Sequence, residues 1–265
     1  AFAAQRLGIP TLLLEQNVFP GKATRWLSRH ANIVCTSFEA TSSHLPHGAR
    51  VVATGNPIRA EIVELGNTPS PHPNEVQGDG DKRPPTLLVL GGSQGASAIN
   101  WAMIAAVEQL RPRLTGWRIV HQAGATDADA VEQRYAAMQV NHVVEPFFAD
   151  MAAQYRQATL VVSRAGATTL AELACAGCPA ILIPYPAAAA NHQQLNADSF
   201  VAAGAARCVV QATEPGDTAE RLQREIKFVH GDPARLTAMR SAMFELAQPD
   251  AAQRVVAEIE SLRHR

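Results

Sequence analysis

The sequence predicts an α/β protein built on a parallel sheet that helices cover on both faces. Short apolar segments alternate with segments whose apolar residues recur at helical spacing, as in successive strand–helix–strand units. The clearest unit pairs a strand at Thr86–Leu90 with a helix marked by Ile99, Met103, Val107 and Leu110. The chain has 265 residues, which suggests about two domains at roughly 150 residues each.

The alternation continues along most of the chain. Further short strands are predicted at 117–122, 142–145, 159–163, 180–184 and 206–210. Helices are predicted at 128–138, 221–230, 234–246 and 251–262. The segment 66–85 interrupts the pattern, because its Pro, Gly and polar residues cannot bury a core, and we expect a surface loop or linker there.

Composition excludes some functional classes. Lys and Arg together number 23 and Asp and Glu 24, so no global field attracts the chain to nucleic acid, and we expect no nucleic-acid partner. Apolar residues make up 47% and charged residues 18%, which is typical of a folded globular chain. No apolar run approaches the roughly eighteen residues that a membrane-spanning helix needs.

Two patterns resemble metal or redox sites but favour simpler interpretations. Cys175 and Cys178 form a C-x-x-C that straddles a predicted helix end at Gly177, so we expect buried structural thiols. The D-x-D at 79–81 lies in the predicted loop, and the one at 127–129 fits the N-cap and first turn of a helix. We therefore predict no metal site and no cofactor.

The segment 91–95, Gly-Gly-Ser-Gln-Gly, joins a predicted strand to a predicted helix and allows three interpretations. It has the G-x-S-x-G form of a hydrolase nucleophile elbow, for which Asp198 and His230 would be the partners of Ser93. It could also form a phosphate cradle, in which backbone N–H groups and the Ser93 hydroxyl bind an anion. A simple turn is the third interpretation.

A second loop favours the phosphate cradle. Gly166 follows the strand at 159–163 and precedes Thr168 and Thr169 at a helix start, so two such turns share one predicted sheet edge. The free N–H groups at that helix start are suited to a diphosphate. Glu172 is the sole charged residue from 165 to 191, and its carboxylate could accept hydrogen bonds from both hydroxyls of a ribose. A capping or solvent-facing glutamate is the alternative.

Five motifs, in order, closely resemble the MurG family of bacterial UDP-N-acetylglucosamine:lipid I N-acetylglucosaminyltransferases. They are LGIPTLLLEQN, TGNPIRAEI, LLVLGGSQGASAIN, SRAGATTLAELACAGCPAILIPYP and NHQQLNA. The resemblance implies a GT-B architecture of two Rossmann-like domains with the donor, UDP-GlcNAc, in the cleft. It also implies an inverting transfer of GlcNAc to the muramic acid 4-hydroxyl of lipid I (undecaprenyl-pyrophosphoryl-MurNAc-pentapeptide), which gives lipid II, at the cytoplasmic face of the inner membrane.

The resemblance assigns roles to residues at matching positions. Asn17 matches a residue near the donor sugar, Arg59 and Ser93 match diphosphate contacts, and Phe148 matches the position whose backbone meets the uracil. Gln193 matches a contact to the sugar hydroxyls. The loop and helix start that hold phosphate and ribose in the family correspond here to Ala167, Thr168, Thr169, Leu170, Ala171 and Glu172.

The sequence also departs from the family pattern. The opening glycine-rich loop with its histidine, which the family is thought to use for the acceptor and the general base, does not occur in these residues, so no catalytic residue is assigned. We expect an N-terminally truncated, inactive fragment. Leu14 replaces the usual histidine before EQN, and alanines at 187–190 replace a more varied stretch.

The resemblance suggests a division of the chain. Residues 1–57 would be the tail of the N-terminal domain, 58–248 the donor-binding domain, and 249–265 a helix that crosses back. Phe19, Lys22, Arg25, Trp26 and Arg29 predict a basic, aromatic helix that could touch anionic lipid, although simple packing of Trp26 is the alternative.

One functional alternative belongs to another class of protein. The chain could be the nucleotide-sugar-binding subunit of a split transferase whose missing half is a separate protein. The serine hydrolase is the remaining alternative.

Overall fold

The computed structural model describes residues 2–67, 84–91, 96–188 and 191–263, and within them two parallel sheets carry the fold. The first sheet has three strands in the order β1-β2-β3. These strands are β1 (Leu12–Glu15), β2 (Ile33–Thr36) and β3 (Val51–Ala53). All their pairings are parallel, with Leu14 opposite Cys35.

The second sheet has six parallel strands in the order β6-β5-β4-β7-β8-β9. Its strands are β4 (Thr86–Leu90), β5 (Arg118–Gln122), β6 (Asn141–Glu145), β7 (Leu160–Ser163), β8 (Ala180–Leu182) and β9 (Ala206–Cys208). The chain builds outward from β4 in one direction and then returns to β7 on its other side. Such a reversal opens a crevice at the carboxyl ends of the two central strands, where doubly wound sheets bind ligands.

Helices connect the strands. They are α1 (Phe2–Arg6), α2 (Lys22–Leu27), α3 (Ala60–Asn67), α4 (Ser97–Leu110), α5 (Ala128–Met138), α6 (Met151–Gln157), α7 (Ala167–Ala176), α8 (His192–Ala202), α9 (Pro215–Val229), α10 (Pro233–Glu245) and α11 (Ala251–Arg263). A short 3₁₀ helix covers Glu39–His44. Among the described residues, no helix combines the length and the apolar character that crossing a bilayer requires.

The predicted elements are confirmed, with changes at their ends. The strand predicted at 180–184 ends at Leu182, because Pro184 has no N–H to continue the ladder. The helix predicted from 221 begins at Pro215, since proline fits the first helical turn. Helix α3 was not predicted, and it extends to Asn67, so the expected linker loses its first two residues. Most of the linker, including the D-x-D at 79–81, lies outside the described residues.

The six-stranded sheet has an apolar core on each face. Leu87 and Val89 of β4 face the layer that contains α4, α5 and α9. Leu88 faces the layer that contains α3, α6 and α7. Successive residues of a strand point to opposite faces, so burial on both sides requires the continuous apolar run seen in β4. The four residues that marked α4 are all buried in the first core.

The last helix packs against the first sheet. Val255 and Leu262 of α11 share a core with Ile33 and Cys35 of β2. Arg50 and Glu258 add an ion pair of 3.0 Å beside this core. The domain boundaries at 57/58 and 248/249 stay predictions, because these contacts do not locate a division of the chain.

The four cysteines are free thiols, as expected. Cys178 lies at the end of α7, and its Sγ is 3.4 Å from the backbone oxygen of Tyr155. Burial raises the pKa of Cys178 to about 12, so this thiol stays protonated and unreactive at neutral pH. The C-x-x-C is therefore a packing feature.

A buried polar network joins the start of α4 to β5 and α5. The fully buried His121 contacts Tyr135 Oη and Asn100 Oδ1, each at 3.0 Å. Asn100 Nδ2 donates to Asp127 Oδ2 at 2.8 Å, and the Ser97 hydroxyl donates to the same oxygen. Burial lowers the pKa of His121 to about 3, so the ring is neutral at physiological pH.

Asp127 occupies the N-cap position of α5, as predicted, but its carboxylate does not cap that helix. It accepts hydrogen bonds from Ser97 and Asn100 of α4 instead. The network thus fixes the first turn of α4 directly after the segment 91–95.

Gly177 provides a direct test of how α7 ends. Its φ is +62°, and an added Cβ would lie 2.2 Å from the ring of Phe244. We expect Gly177→Ala to lower the free energy of unfolding by about 2–4 kcal/mol, through left-handed strain and displacement of that ring. Urea denaturation measures this change.

Gly204 is the matched control, since its φ is +76° and a Cβ would meet nothing within 4 Å. Gly204→Ala should retain the strain alone, about 1 kcal/mol. Equal losses for the two variants would contradict the proposed packing of Gly177 under Phe244.

Candidate functional site

A cavity of about 170 Å³ lies at the carboxyl edge of the six-stranded sheet. The last residues of three strands line it, Leu90 of β4, Gln122 of β5 and Ser163 of β7. Arg59 and Glu172 line it as well. The cavity therefore occupies the crevice where the strand order reverses, the place where ligands bind such sheets.

Glu172 is the central group of this site. Its side chain is 8% exposed, and Oε1 accepts two hydrogen bonds from Arg59, at 3.1 Å from Nε and 2.9 Å from Nη2. Oε2 accepts a third from the Tyr155 hydroxyl at 2.9 Å. A buried carboxylate needs such partners, because burial without them is strongly unfavourable. The charge that looks isolated in the sequence is paired in three dimensions.

Tyr155 is a member of the site that the sequence analysis missed. It lies in α6 and is almost fully buried. Burial and the nearby Glu172 charge raise the pKa of Tyr155 well above its ordinary value, so the phenol remains a hydrogen-bond donor. Nothing in the sequence around Tyr155 distinguishes it from a core tyrosine, because its partner is 17 residues away.

The first turn of α7 opens toward the same edge of the sheet. Gly166 is its N-cap residue. Glycine has no side chain that could accept hydrogen bonds from the first N–H groups of the helix. The φ of Gly166 is −69°, and an added Cβ would meet just Thr169 Oγ1, at 3.8 Å. Glycine is therefore not needed for backbone geometry here. Its effect is to leave space beside the helix start.

The predicted residues of α7 do not all face the cavity. Thr169 and Glu172 line it, while the Thr168 hydroxyl accepts a hydrogen bond of 3.4 Å from Asn56. Leu170 is fully buried in the core. Ala167 and Ala171 line a different cavity of about 410 Å³, which Phe38 and Phe200 border. The side chain of Leu170 therefore cannot contact a ligand in the crevice.

Gln122 binds the backbone of Phe148. Its backbone N–H donates to Gln122 Oε1 at 3.1 Å, and its side chain is buried. The neighbouring Phe147 is 58% exposed and lines the cavity. An interaction of the Phe148 backbone with a base therefore has to use its carbonyl group or displace Gln122, and Phe147 supplies the accessible ring.

Asn17 is part of a hydrogen-bonded link between the two sheets. Asn17 Oδ1 accepts from Asn196 Nδ2 at 3.0 Å, and Asn196 Oδ1 accepts from the Val18 N–H at 3.0 Å. Asn196 Nδ2 also donates to the Ala165 oxygen at 3.2 Å. Asn196 is fully buried in α8, and it fixes the EQN segment beside the loop that begins α7.

Gln193 lies in the first turn of α8, close to the segment that follows β8. Its Oε1 accepts a hydrogen bond of 2.9 Å from the backbone N–H of Tyr185. Arg164, which also lines the cavity, donates to the Ile183 and Pro184 oxygens at 3.0 and 3.3 Å. The structure thus brings Arg59, Thr169 and Glu172 together and places Gln193 in the first turn of α8, against the loop that follows β8. Ser93 lies outside the described residues.

The hydrolase interpretation does not fit this arrangement. The ring of His230 packs on Trp117, 5.2 Å between centroids, and Trp117 directly precedes β5. His230 therefore lies at the amino edge of the sheet, whereas the segment 91–95 follows the carboxyl end of β4. Strands of five residues span about 17 Å, which separates His230 from the carboxyl end of β4 that leads into this segment.

Comparison with known proteins agrees with the geometry. Residues 86–255 match the Glycosyltransferase family 28 C-terminal domain. The UDP-N-acetylglucosamine--N-acetylmuramyl-(pentapeptide) pyrophosphoryl-undecaprenol N-acetylglucosamine transferase of Xanthomonas campestris pv. campestris (strain B100) is 44% identical over 253 residues, which cover 96% of this chain and 55% of that protein. The protein of the same name from Desulfotalea psychrophila is 42% identical, over 97% of this chain and 66% of that protein.

A solved structure extends the comparison to the fold. The crystal structure of Acinetobacter baumannii MurG superposes with a TM-score of 0.77 and 34% identity, covering 98% of this chain and 70% of that chain. This similarity confirms the predicted α/β fold of GT-B type. The chain spans about half the length of the Xanthomonas relative. These matches favour neither the hydrolase nor the split-subunit alternative, and they show that the chain belongs to the MurG family within glycosyltransferase family 28.

Proposed function

We propose that this chain binds UDP-GlcNAc for a transfer of GlcNAc to lipid I that yields lipid II, the activity of peptidoglycan synthesis for which its relatives are named. The observation that carries the proposal is the Glu172 carboxylate, held by Arg59 and Tyr155 in the crevice beside the start of α7. This crevice offers a charged acceptor, a guanidinium and helix N–H groups within one small space, which suits a nucleoside diphosphate.

Each part of the donor has a corresponding group in the site. The first turn of α7 supplies N–H groups and the positive end of the helix dipole for the diphosphate. The same end of the helix would stabilise the charge that develops on the leaving UDP. Glu172 would accept hydrogen bonds from the 2′- and 3′-hydroxyls of the ribose. Gln193 would meet the sugar.

The pairing of Glu172 implies an exchange when the nucleotide binds. In the structure, Arg59 donates to Oε1 and Tyr155 donates to Oε2. A ribose diol would have to replace Arg59 at the carboxylate, and the released guanidinium could then contact the diphosphate. This exchange is consistent with both roles that the resemblance assigns. The carboxylate would accept hydrogen bonds from the ribose hydroxyls, and the guanidinium would pair with the diphosphate.

The chemical step is proposed for a longer protein. The chain covers 55% of the Xanthomonas relative, and the histidine loop implied by the resemblance does not occur among the 265 residues. We assign donor binding to this chain and expect transfer to require the acceptor half.

An anionic membrane surface at the cytoplasmic face is proposed as the place of action. The predicted basic helix is shorter than expected, since α2 covers Lys22–Leu27 and Arg29 follows it. The Trp26 ring is 50% exposed and lies 5.9 Å from the Phe2 ring, beside exposed Lys22 and Arg25. Aromatic rings flanked by cations favour the interface of an anionic bilayer.

Binding of UDP-GlcNAc in EDTA tests the proposed function. We expect isothermal titration to give the same affinity in EDTA and in manganese, because helix N–H groups and Arg59 supply the positive charge that a metal would otherwise provide. No binding under either condition would contradict the function. Binding that requires manganese would contradict the metal-free mechanism.

Glu172→Gln tests the role of the carboxylate with little change in side-chain volume. We expect it to weaken UDP binding about 10- to 100-fold, because hydrogen bonds to a charged acceptor are lost. The 2′,3′-dideoxy analogue of UDP should bind the wild type weakly and respond little to the substitution. Titration calorimetry of both nucleotides measures the coupling.

Glu225→Gln is the control, since Glu225 pairs with Arg207 at 2.7 Å and lines none of the cavities described above. It should leave both affinities unchanged. If Glu172→Gln weakens UDP and its dideoxy analogue by one common factor, the ribose assignment is wrong.

Sedimentation with phosphatidylglycerol vesicles tests the membrane proposal. We expect the wild type to sediment at low salt and to be released at high salt, and Trp26→Ala to sediment less. Trp101→Ala removes another exposed tryptophan, 41% exposed on α4, and should sediment like the wild type. Equal sedimentation with neutral phosphatidylcholine vesicles would argue against an electrostatic surface.

A further inference from the structure

Arg164 binds the loop that follows β8. Its Nη1 lies within hydrogen-bond distance of three acceptors, the Ile183 oxygen at 3.0 Å, the Pro184 oxygen at 3.3 Å and Gln211 Oε1 at 2.9 Å. Its guanidinium also lies 5.3 Å from the centroid of the Tyr185 ring. One side chain therefore contacts three consecutive residues, 183–185, beyond the end of the strand.

The loop needs this support because the ladder stops there. The Ile183 N–H makes the last bond to β7, at 2.8 Å from the Ser163 oxygen. Pro184 has no N–H to donate. The Ile183 and Pro184 carbonyls accept hydrogen bonds from Arg164 Nη1 instead.

The supported loop in turn fixes Gln193. The Tyr185 N–H donates to Gln193 Oε1 at 2.9 Å, which determines the orientation of that amide. Its Nε2 then has no acceptor among the described residues, and it can donate to the oxygen of a hydroxyl. Arg164 and Gln193 are thus connected through the backbone of residues 183–185.

This set of contacts is separate from the one that holds Glu172. Glu172 is bonded by Arg59 and Tyr155, and none of the hydrogen bonds between described residues joins it to Arg164. The nucleotide and the sugar would therefore be recognised by two groups of side chains that can be perturbed independently.

We propose that Arg164 is a positioning residue for the donor sugar, which holds the loop 183–185 so that the Gln193 amide donates to a sugar hydroxyl. The proposal rests on the proposed function, since it assumes a nucleotide-linked sugar in this crevice. It predicts that a change at Arg164 alters the ratio of the UDP-GlcNAc and UDP affinities, which measures the contribution of the sugar.

Arg164→Lys tests this prediction. Lysine keeps the charge, but its ammonium lies one bond short of the position of Arg164 Nη1, and it has no planar guanidinium to lie near the Tyr185 ring. We expect titration calorimetry to show UDP-GlcNAc binding weakened about 10-fold more than UDP binding, because the retained charge limits the effect on a nucleotide in the cavity that Arg164 also lines. Arg207→Lys is the control, because Arg207 is likewise bound by a side-chain oxygen, that of Glu225, and lies over a ring, that of Phe228 at 4.6 Å. It lines neither cavity described above and should leave both affinities unchanged.

Gln211→Leu provides a second variant if Arg164→Lys does not fold by circular dichroism. It removes one hydrogen-bond acceptor of Arg164, which lies outside the loop 183–185. We expect the affinity for UDP-GlcNAc to fall about 3-fold and the affinity for UDP to stay unchanged. An unchanged ratio of the UDP-GlcNAc and UDP affinities overturns the proposal, whether both fall together or neither does. If the wild type binds neither nucleotide, the proposed function fails and this proposal fails with it.

Discussion

The buried carboxylate of Glu172 is the constraint on which the site depends. A carboxylate that is 8% exposed must be paired, and its partners come from two other elements, Arg59 directly before α3 and Tyr155 in α6. The three helices α3, α6 and α7 pack on one face of the sheet, so a single charge aligns them at its carboxyl edge. Removing either partner would leave a buried charge incompletely satisfied.

In the proposed function, the same constraint would let the site bind and release a nucleotide. Arg59 and Glu172 satisfy each other as an ion pair, and a nucleoside diphosphate offers substitutes for both halves of that pair. The ribose hydroxyls can replace Arg59 at the carboxylate, and the phosphates can replace the carboxylate at Arg59. The free energy of binding is then a difference between two satisfied states, which keeps the interaction reversible. The contacts by which Arg164 supports Gln193 are separate from those of Glu172. Binding of the sugar would therefore not alter the exchange at Glu172.

Much of the fold could be predicted because its signals are local. The spacing of Ile99, Met103, Val107 and Leu110 predicts α4, and all four are buried. The uninterrupted apolar run of β4 predicts burial on both faces, which the two cores confirm. Element ends were less accurate, as at 183–184, where the ladder ends before Pro184 although the residues remain apolar.

The site was less predictable, since its contacts join residues far apart in the chain. The distinctive position of Glu172 is visible in the sequence, but its bond to Arg59 spans 113 residues and could not be read from local spacing. Resemblance to the family gave roles to both residues without indicating that they pair. Asn196 and Tyr155 were missed because the sequence does not distinguish them from other polar residues. Their roles depend on partners that only the fold brings close.

A crystal structure of the chain with UDP would test the central claim most directly. We expect both ribose hydroxyls to lie within hydrogen-bond distance of Glu172 and the Arg59 guanidinium to have moved from Oε1 to the diphosphate. Tyr155 should keep its bond to Oε2. A complex in which UDP occupies the crevice while Arg59 remains 2.9 Å from Glu172 Oε1, with the ribose bound elsewhere, would contradict it.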